Sequence, residues 1–363
     1  MKVAYIIESA HNSGGMERVL TVSANALCYD VDISIITLYQ NKRQYYFPLD
    51  NKIKRYDLDI ENVADKKLLK QRMTEFLMSH HFDIVVSMGG IDMYCLHTIK
   101  DGSKKIVWFH FAHNVAYTAW LGNSPTLLKK MKGYLRQIKR IKHARGYERV
   151  VAISSADYKA WQKYTNKAIL IYNPLTIKTS VLSDLSLKRV ISVGRLDYQK
   201  GYDLLIDTWK IVSEKHSDWQ LNIYGDGPLR DDIQKQIDDL CLSKNVTLCG
   251  RTANIAEKYA EHSIYVMASR TECFSLVLIE ASDSGLPLVA YDCPFGPRDI
   301  IDNCKNGFLI PNVGDVAAMA KKICLLIDDV ELRKQMGGKA KQMVGRFSPS
   351  KIKDEWLTLF NEL

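Results

Sequence analysis

The strongest constraint on the fold is a regular alternation of short β-branched segments with longer amphipathic segments, which occurs twice along the chain. In the first half it predicts strands at 2–7, 32–38, 83–87, 105–111, 150–153 and 168–172. In the second half it predicts strands at 189–193, 219–224, 246–248, 264–267 and 288–291. Strands that alternate with helices pair in parallel, and the helices cover both faces of the sheet. The sequence therefore predicts an α/β fold of two facing, doubly wound, Rossmann-like parallel-sheet domains.

The domain boundaries follow from where this alternation stops. The chain has 363 residues, which suits two domains. We predict a first domain at 1–174, a linker without periodicity at 175–187 and a second domain at 188–348. The last segment, 349–363, carries apolar residues at helical spacing, and we expect a helix that crosses back to pack toward the first domain.

Composition excludes several other classes of protein. Hydrophobic residues make up 47% of the chain and charged residues 25%, which are globular values. No apolar run approaches the ~20 residues of a membrane span, and the amino-terminal segment lacks the apolar core of a signal peptide. The eight cysteines include no C-x-x-C pair, which favours reduced thiols. We therefore expect a cytoplasmic protein.

Positive charge is concentrated in the first half of the chain. Residues 1–186 hold 27 Lys and Arg against 16 Asp and Glu, whereas the remainder holds 23 against 25. Much of the excess lies in 126–149, with nine basic residues and one acidic residue. Apolar residues recur there at steps of four and three, which predicts an amphipathic helix.

This basic segment is typical of a helix that contacts an anionic lipid surface or an acceptor diphosphate. The alternative is that its apolar stripe faces the core and its basic side is merely solvated. Nucleic acid is a competing anion, but no nucleic-acid motif accompanies the charge. The residues we expect to make the membrane or acceptor contact are Lys129, Lys132, Arg136, Lys139, Arg140 and Lys142.

Two glycine-containing loops follow predicted strands. Gly14 and Gly15 precede a helix, where a phosphate could approach the backbone closely, although a plain glycine turn explains them equally well. Neither this loop nor the one at Gly225 forms the G-x-G-x-x-G dinucleotide fingerprint. Arg195 and Lys200, five residues apart in a third loop, could close on one diphosphate or could be two ordinary exposed cations.

Two carboxylates and one histidine complete the candidate site. Glu272 precedes one predicted helix and Glu280 lies about two turns in, so both are within reach of a single small ligand. Glu280 is surrounded by apolar residues and must be hydrogen-bonded if it is buried, unless it lies on the solvent face. His113 follows a predicted strand and is either a site residue or structural, whereas we expect His110 to pack within the strand.

Taken in order, these motifs resemble the retaining glycosyltransferases of family 4, which have the GT-B fold. The series comprises Gly14-Gly15, His113, G-R-x4-K-G at 194–201, G-D-G-P at 225–228 and E-x7-E at 272–280. The resemblance covers the whole chain and is strongest over 190–312. It points to the branch of hexosyl- and N-acetylhexosaminyltransferases that builds bacterial exopolysaccharide, O-antigen and lipid-linked oligosaccharides.

The resemblance implies a nucleotide-sugar donor, UDP-linked by preference, with no cofactor and no metal ion. By position it implies that Arg195 and Lys200 hold the diphosphate, that Glu280 binds ribose and that Glu272 binds the donor sugar. The remaining implied contacts come from Gly14, Gly15 and the N–H groups of Phe274, Ser275 and Leu276 to phosphate or sugar, from Arg251 near the base, and from His113 to the transferred sugar. The sequence departs from the pattern at Cys273 and Ser275, where relatives often carry Gly or another small residue.

The resemblance also implies a lipid-linked glycan acceptor, which the enzyme would meet at the inner face of the cytoplasmic membrane. A nucleotide-sugar epimerase on the same fold and a non-catalytic polysaccharide- or lipid-binding relative stay as alternatives. An NAD(P) oxidoreductase lacks its fingerprint, and in a glycosidase the basic pair would be idle. Asp57 and Asp59 match a D-x-D metal pattern but lie on an expected surface. The donor sugar, linkage and oligomeric state stay open.

Overall fold

The computed structural model describes residues 1–118 and 126–363. The described chain divides into two compact units. One comprises Met1–Pro174 together with Pro349–Leu363, and the other comprises Leu175–Ser348. Each unit contains its own parallel sheet.

The first unit is built on a twisted parallel sheet whose strand order is β3-β2-β1-β4-β5-β6-β7 among the described residues. Its strands are β1 (Lys2–Ile7), β2 (Asp32–Thr37), β3 (Lys54–Asp57), β4 (Ile84–Ser87), β5 (Lys104–Trp108), β6 (Arg149–Ala152) and β7 (Ala168–Leu170). Its helices before the second unit are α1 (Gly15–Leu27), α2 (Lys66–His80), α3 (Val115–Thr118), α4 (Leu127–Ala144) and α5 (Ser155–Gln162), with short 3₁₀ turns at Ile91–Tyr94 and Leu96–Thr98.

The second unit repeats this order as β10-β9-β8-β11-β12-β13. Its strands are β8 (Arg189–Val193), β9 (Gln220–Tyr224), β10 (Val246–Gly250), β11 (Ile264–Met267), β12 (Leu288–Tyr291) and β13 (Gly307–Ile310). Its helices are α6 (Tyr202–Lys215), α7 (Arg230–Asp239), α8 (Ile255–Ala260), α9 (Leu276–Asp283), α10 (Pro297–Ile300), α11 (Val316–Asp328) and α12 (Val330–Val344), with 3₁₀ turns at Tyr198–Lys200 and Gly345–Phe347.

Both sheets are doubly wound, as the alternation in the sequence predicts. Every strand pair among the described residues is parallel. The central strands β4, β11 and β12 are buried along their whole length, as expected when helices cover both faces. In each sheet the strand order reverses next to the first strand, between β1 and β4 and between β8 and β11. Ligands of such sheets bind beyond the carboxyl ends of the strands at this reversal. The loops after these strands are therefore the places to search for a site.

The chain ends in α13 (Pro349–Asn361), which belongs to the first unit. Trp356 is fully buried, and its ring lies 4.8 Å from that of Trp108 and 6.3 Å from that of Tyr5, measured between centroids. The aromatic contacts explain why a segment that follows the second unit in sequence packs on the first sheet. Throughout the described ranges, each helix is either too short or too polar to cross a lipid bilayer.

Candidate functional site

The loops at the carboxyl edge of the second sheet are locked together through their backbones. Leu196 N donates to Asp226 O at 3.1 Å, and Leu229 N donates to Leu196 O at 3.0 Å. A Cβ at Gly225 would lie 1.8 Å from the carbonyl oxygen of Gly194, so only glycine permits this approach. The glycines of the G-D-G motif therefore fix the loop that carries Arg195.

Lys200 and Glu272 form an ion pair at this edge. Lys200 Nζ lies 2.7 Å from Glu272 Oε1, and the hydroxyl of Ser269 donates to the same oxygen at 2.6 Å. The Glu272 side chain is 7% exposed and that of Lys200 is 21% exposed. The loop after β8 and the loop after β11 thus place one cation and one carboxylate side by side. Ser269 was not predicted as a site residue, since a serine at the end of a strand carries no motif of its own.

Arg195 and Arg251 project from neighbouring loops at the same edge. Their side chains are 71% and 76% exposed. Their closest acidic partners are distant: Arg195 Nε lies 3.8 Å from Asp197 Oδ2, and Arg251 Nε lies 3.8 Å from Asp226 Oδ2. Pairs at this distance and exposure contribute little to stability, so both guanidinium groups can turn to an anion.

The turn at 272–276 presents the start of helix α9. Ser275 has a φ of 73°, in the left-handed region that favours glycine. The turn is held tightly, because a Cβ at Gly296 would lie 2.8 Å from the backbone of Phe274. Among the described side chains none caps the helix start, so the partial positive charge of the N-terminus at Leu276 is not offset by a capping side chain. The left-handed turn is the physical reason for a glycine preference at position 275.

Glu280 lies just over one turn into α9 and is 2% exposed. Its Oε1 accepts from the hydroxyl of Thr176 at 2.8 Å and its Oε2 from the hydroxyl of Tyr259 at 3.1 Å. These bonds meet the requirement that a buried carboxylate be hydrogen-bonded, and the solvent-face alternative is wrong. Thr176 and Tyr259 had not been singled out in the sequence. A ribose hydroxyl that bound Glu280 would replace or share donors of the same chemical kind.

In the first unit, Gly14 and Gly15 begin helix α1. Gly14 is its N-cap with extended backbone, and no described side chain caps it. The carboxylate of Glu17 lies close by, because a Cβ at Gly14 would meet its Oε2 at 2.3 Å. Burial raises the pKa of Glu17 above its ordinary value. The Glu17 carboxylate therefore lies where a phosphate would bind, and a phosphate would have to displace it or bind beside it. The pair of glycines in the sequence does not indicate this carboxylate.

His113 is held by a buried carboxylate. Its backbone N donates to Asp157 Oδ1 at 2.6 Å, and its Nδ1 lies 3.2 Å from the same oxygen. Asp157 is fully buried in the first turn of α5. Because a carboxylate only accepts, Nδ1 is the protonated nitrogen of this imidazole. His110 lies outside the strand, which ends at Trp108, so its prediction as a strand residue is wrong. It packs against Trp108, and burial lowers its pKa to about 3.

Helix α4 exposes apolar side chains and buries polar ones, the reverse of an ordinary surface helix. Its apolar stripe is exposed as far as Ile138, so the alternative that this stripe faces the core is wrong for all but Ile141, which packs against the core of the first unit. The exposed residues are Leu127, Leu128, Met131, Tyr134, Leu135 and Ile138. Its buried residues are Gly133, Gln137, Arg140 and Ala144. The prediction of Arg140 as a membrane or acceptor contact is therefore wrong, because its side chain points inward and donates to main-chain carbonyls. The other predicted contacts stay exposed: Lys129, Lys132, Arg136, Lys139 and Lys142.

The D-x-D pattern has a structural use at the edge of the first sheet. Asp57 Oδ1 accepts from the hydroxyl of Thr37 and from Gln40 N, both at 3.0 Å, which ties β3 to the end of β2. Within the described ranges, no three His, Cys, Asp or Glu side chains are grouped closely enough to hold a metal ion.

The two parallel-sheet units have the GT-B fold. The structure of Staphylococcus aureus TarM, solved in complex with Fondaparinux, alpha-GlcNAc-glycerol and UDP, superposes with a TM-score of 0.80 over 99% of both chains at 19% identity. A family model, glycosyl transferases group 1, matches residues 176–343. An uncharacterized glycosyltransferase of Haemophilus influenzae is 30% identical over 98% of both chains. The chain belongs to the group 1 glycosyltransferase family.

A second relative has a named activity. It is the Campylobacter jejuni "GalNAc-alpha-(1->4)-GalNAc-alpha-(1->3)-diNAcBac-PP-undecaprenol alpha-1,4-N-acetyl-D-galactosaminyltransferase", 27% identical over 100% of this chain and 99% of its own. The name of this relative describes an acceptor linked to undecaprenol through a diphosphate.

Proposed function

We propose that this chain is a retaining glycosyltransferase that moves a hexose or N-acetylhexosamine from a UDP-sugar to a lipid-linked glycan acceptor. The reaction needs no metal ion or cofactor and belongs to the assembly of a cell-surface polysaccharide. The enzyme works as a peripheral protein on the inner face of the cytoplasmic membrane. The alternatives are a nucleotide-sugar epimerase and a non-catalytic polysaccharide- or lipid-binding relative.

The observation that carries this proposal is the grouping of donor-binding chemistry at one edge of the second sheet. The pair of Lys200 and Glu272, the exposed Arg195 and the open helix start at Leu276 combine cations and N–H donors for a diphosphate with a carboxylate for sugar hydroxyls. Glu280, with its hydroxyl partners, has the chemistry that a ribose requires. UDP is the preferred nucleotide because the TarM structure was solved with it.

The transfer places opposite charges on the two sides of the bond that breaks. The electron pair of the bond between the anomeric carbon and the phosphate oxygen leaves with UDP, and positive charge develops on the sugar ring. The acceptor hydroxyl forms the new bond on the same face, and its proton passes to the departing phosphate oxygen. Arg195, Lys200 and the start of α9 stabilise the negative charge of UDP. His113 Nε2 accepts a hydrogen bond from the transferred sugar.

Helix α4 supports the membrane part of the proposal. It exposes six large apolar side chains together with its basic residues, an arrangement suited to the boundary between anionic headgroups and acyl chains. Each Lys or Arg near an anionic surface contributes about 1 kcal/mol of binding free energy. The lipid-linked acceptor in the name of the Campylobacter relative also supports a reaction at a membrane.

A thermal-shift panel with UDP, GDP, ADP and NAD tests the donor site. UDP at ~100 times its dissociation constant should stabilise the protein by ~2.7 kcal/mol, which raises Tm by roughly 5–10 °C. The shift should disappear in Arg195→Ala/Lys200→Ala. It should persist in Lys188→Ala, because Lys188 immediately precedes β8 and the candidate site lies after the other end of this strand. A response to NAD alone contradicts the assignment, and no response to any nucleotide favours a non-catalytic relative.

Product analysis tests the reaction itself. The protein should transfer label from UDP-N-acetylglucosamine, UDP-N-acetylgalactosamine or UDP-glucose to an undecaprenyl-diphosphate-linked acceptor, with and without EDTA. The anomeric coupling constant of the product should match that of the donor. An inverted product contradicts retention, and loss of activity in EDTA contradicts metal independence. Interconversion of UDP-sugars without transfer supports the epimerase.

Vesicle sedimentation tests the surface contact. Lys129→Glu/Lys132→Glu/Lys142→Glu should weaken binding to vesicles of phosphatidylglycerol and phosphatidylcholine by roughly a hundredfold or more. The control Lys321→Glu/Lys334→Glu/Lys339→Glu makes the same change in net charge on exposed positions of α11 and α12. Equal binding by both variants would remove α4 from the membrane contact.

A further inference from the structure

The inward face of helix α4 packs against the segment that carries His113. Its buried residues are spaced at steps of four, three and four, as one face of a helix requires: Gly133, Gln137, Arg140 and Ala144. A Cβ at Gly133 would lie 3.0 Å from the carbonyl oxygen of Tyr117, so glycine permits the close approach. The helix that exposes its apolar residues therefore directs polar ones at the loop after β5.

Arg140 fixes three successive peptide groups of this loop. Its Nη1 lies 2.6 Å from Ala112 O and 2.8 Å from His113 O, and its Nη2 lies 3.3 Å from Phe111 O. The guanidinium also lies 4.2 Å from the ring centroid of Phe109. Only 3% of the residue is exposed. A planar group with five donors can hold several carbonyls in one geometry, which an ammonium cannot reproduce.

Gln137 and Asp157 hold His113 from two sides. Gln137 Nε2 donates to His113 O at 2.6 Å. Asp157 accepts from the backbone N of His113 and lies within reach of its ring. Both peptide groups that flank His113 and the orientation of its imidazole are thus determined by buried polar side chains of α4 and α5. An apolar core would not need a guanidinium at this place, and burying one is costly unless it makes such bonds.

We propose that Arg140 and Gln137 are positioning residues for His113, so that helix α4 belongs to the scaffold of the active site as well as to the protein surface. The inference rests on the proposed function, which gives His113 its contact with the transferred sugar. Neither residue reaches the sugar in this account. They act by holding the carbonyls of residues 111–113, which fixes where His113 Nε2 points. A small change in the direction of Nε2 should lower kcat more than it weakens binding of the donor.

Two substitutions with matched controls test the inference. Arg140→Lys keeps the charge but loses the planar fork, and Gln137→Met keeps the length but loses the amide donor. Arg145→Lys is the control for the first, because Arg145 is an exposed arginine whose Nε donates to the carbonyl of Tyr164 at 2.7 Å. Gln162→Met is the control for the second, because Gln162 Nε2 donates to the hydroxyl of Tyr158 at the end of α5.

The first readout needs no substrate. Hydrogen exchange of the peptide spanning 109–115 should be on the order of tenfold faster in Arg140→Lys and Gln137→Met than in the controls, because loss of a hydrogen bond loosens the loop. The second readout is kinetic. With the UDP-sugar used by the unaltered chain, kcat should fall by roughly tenfold to a hundredfold while KM for the donor changes little.

Unchanged exchange over 109–115 in both variants would overturn the inference, and so would faster exchange with an unaltered kcat. A change in the KM for the donor alone, with kcat preserved, would also contradict it. Failure of the unaltered chain to turn over any UDP-sugar contradicts the proposed function instead, and the exchange measurement still decides whether α4 holds the loop.

Discussion

Replacing Lys200 with methionine removes the cation of a nearly buried ion pair while keeping the length of the side chain. Glu272 would retain the Ser269 hydroxyl but lose the ammonium that lies 2.7 Å from its Oε1. Removal of one partner from a fully buried pair costs ~3–5 kcal/mol. Because the Lys200 side chain is 21% exposed, water replaces part of the lost interaction. We therefore expect a loss of about 2–3 kcal/mol in the free energy of unfolding.

Differential scanning calorimetry measures this loss. For a unit of this size, ~1 kcal/mol corresponds to ~2–4 °C, so Tm should fall by roughly 4–12 °C. Lys188→Met is the matched control, because Lys188 pairs with Asp218 through side chains that are more than half exposed. A surface pair of that kind contributes about 0–1 kcal/mol, and its loss should lower Tm by only a few degrees.

The double variant Lys200→Met/Glu272→Gln tests whether the lost stability comes from the unpaired carboxylate of Glu272. Glutamine removes the orphaned carboxylate, so the double variant should recover about 1–2 kcal/mol relative to Lys200→Met. Stabilisation by UDP should be weakened in both. The reasoning is refuted if Lys200→Met is no more destabilising than Lys188→Met, or if the added Glu272→Gln lowers stability further.

Three further perturbations follow from the geometry. Ser275→Gly should raise the free energy of unfolding in urea by about 0.5–1 kcal/mol, because glycine adopts the left-handed conformation without strain; a loss would contradict this. Burial raises the pKa of Asp92 to about 7, above its unfolded value of ~4. The stability that its proton adds is therefore complete below about pH 4 and lost as pH rises through about 7. Asp92→Asn should flatten the dependence of the free energy of unfolding in urea on pH over this range, and an unchanged slope would argue against the shifted pKa. Gly225→Ala should destabilise by about 4 kcal/mol or more, whereas Gly314→Ala, which also has positive φ but open space, should cost about 1 kcal/mol; equal effects in urea would show that the close approach is unimportant.

The central strands could be predicted from sequence because burial on both faces leaves a plain signal. The predicted limits of the strands at Lys2–Ile7, Arg189–Val193, Ile264–Met267 and Leu288–Tyr291 agree with the structure. Strand β3 was missed because it lies at the sheet edge and its sequence, KRYD, is polar and mostly exposed. An edge strand is buried on fewer sides, so it can form without an apolar run, and β3 leaves no periodic pattern.

The site was predictable where spacing alone decides position, and less so where packing decides it. Sequence placed Arg195, Lys200 and Glu272 in loops after strands, but it could not show that Lys200 and Glu272 form a pair. Counting charge over 126–149 likewise treated all basic residues alike. The step of four, three and four that leads from Gly133 through Gln137 and Arg140 to Ala144 was a readable sign of a second helix face. It was overlooked because inward faces are usually apolar.

The glycines at loop contacts fix the backbone of the candidate site, whereas they do not fix its exposed side chains. Cβ atoms at Gly225, Gly227 and Gly296 would lie less than 3 Å from the backbone of a neighbouring loop, so these positions fix how the loops stack. A change there disturbs the fold itself. Arg195 and Arg251 extend into solvent from neighbouring loops and bear no such constraint. Under the proposed function, Arg195→Ala or Arg251→Ala should therefore change nucleotide binding while the stability of the fold stays the same.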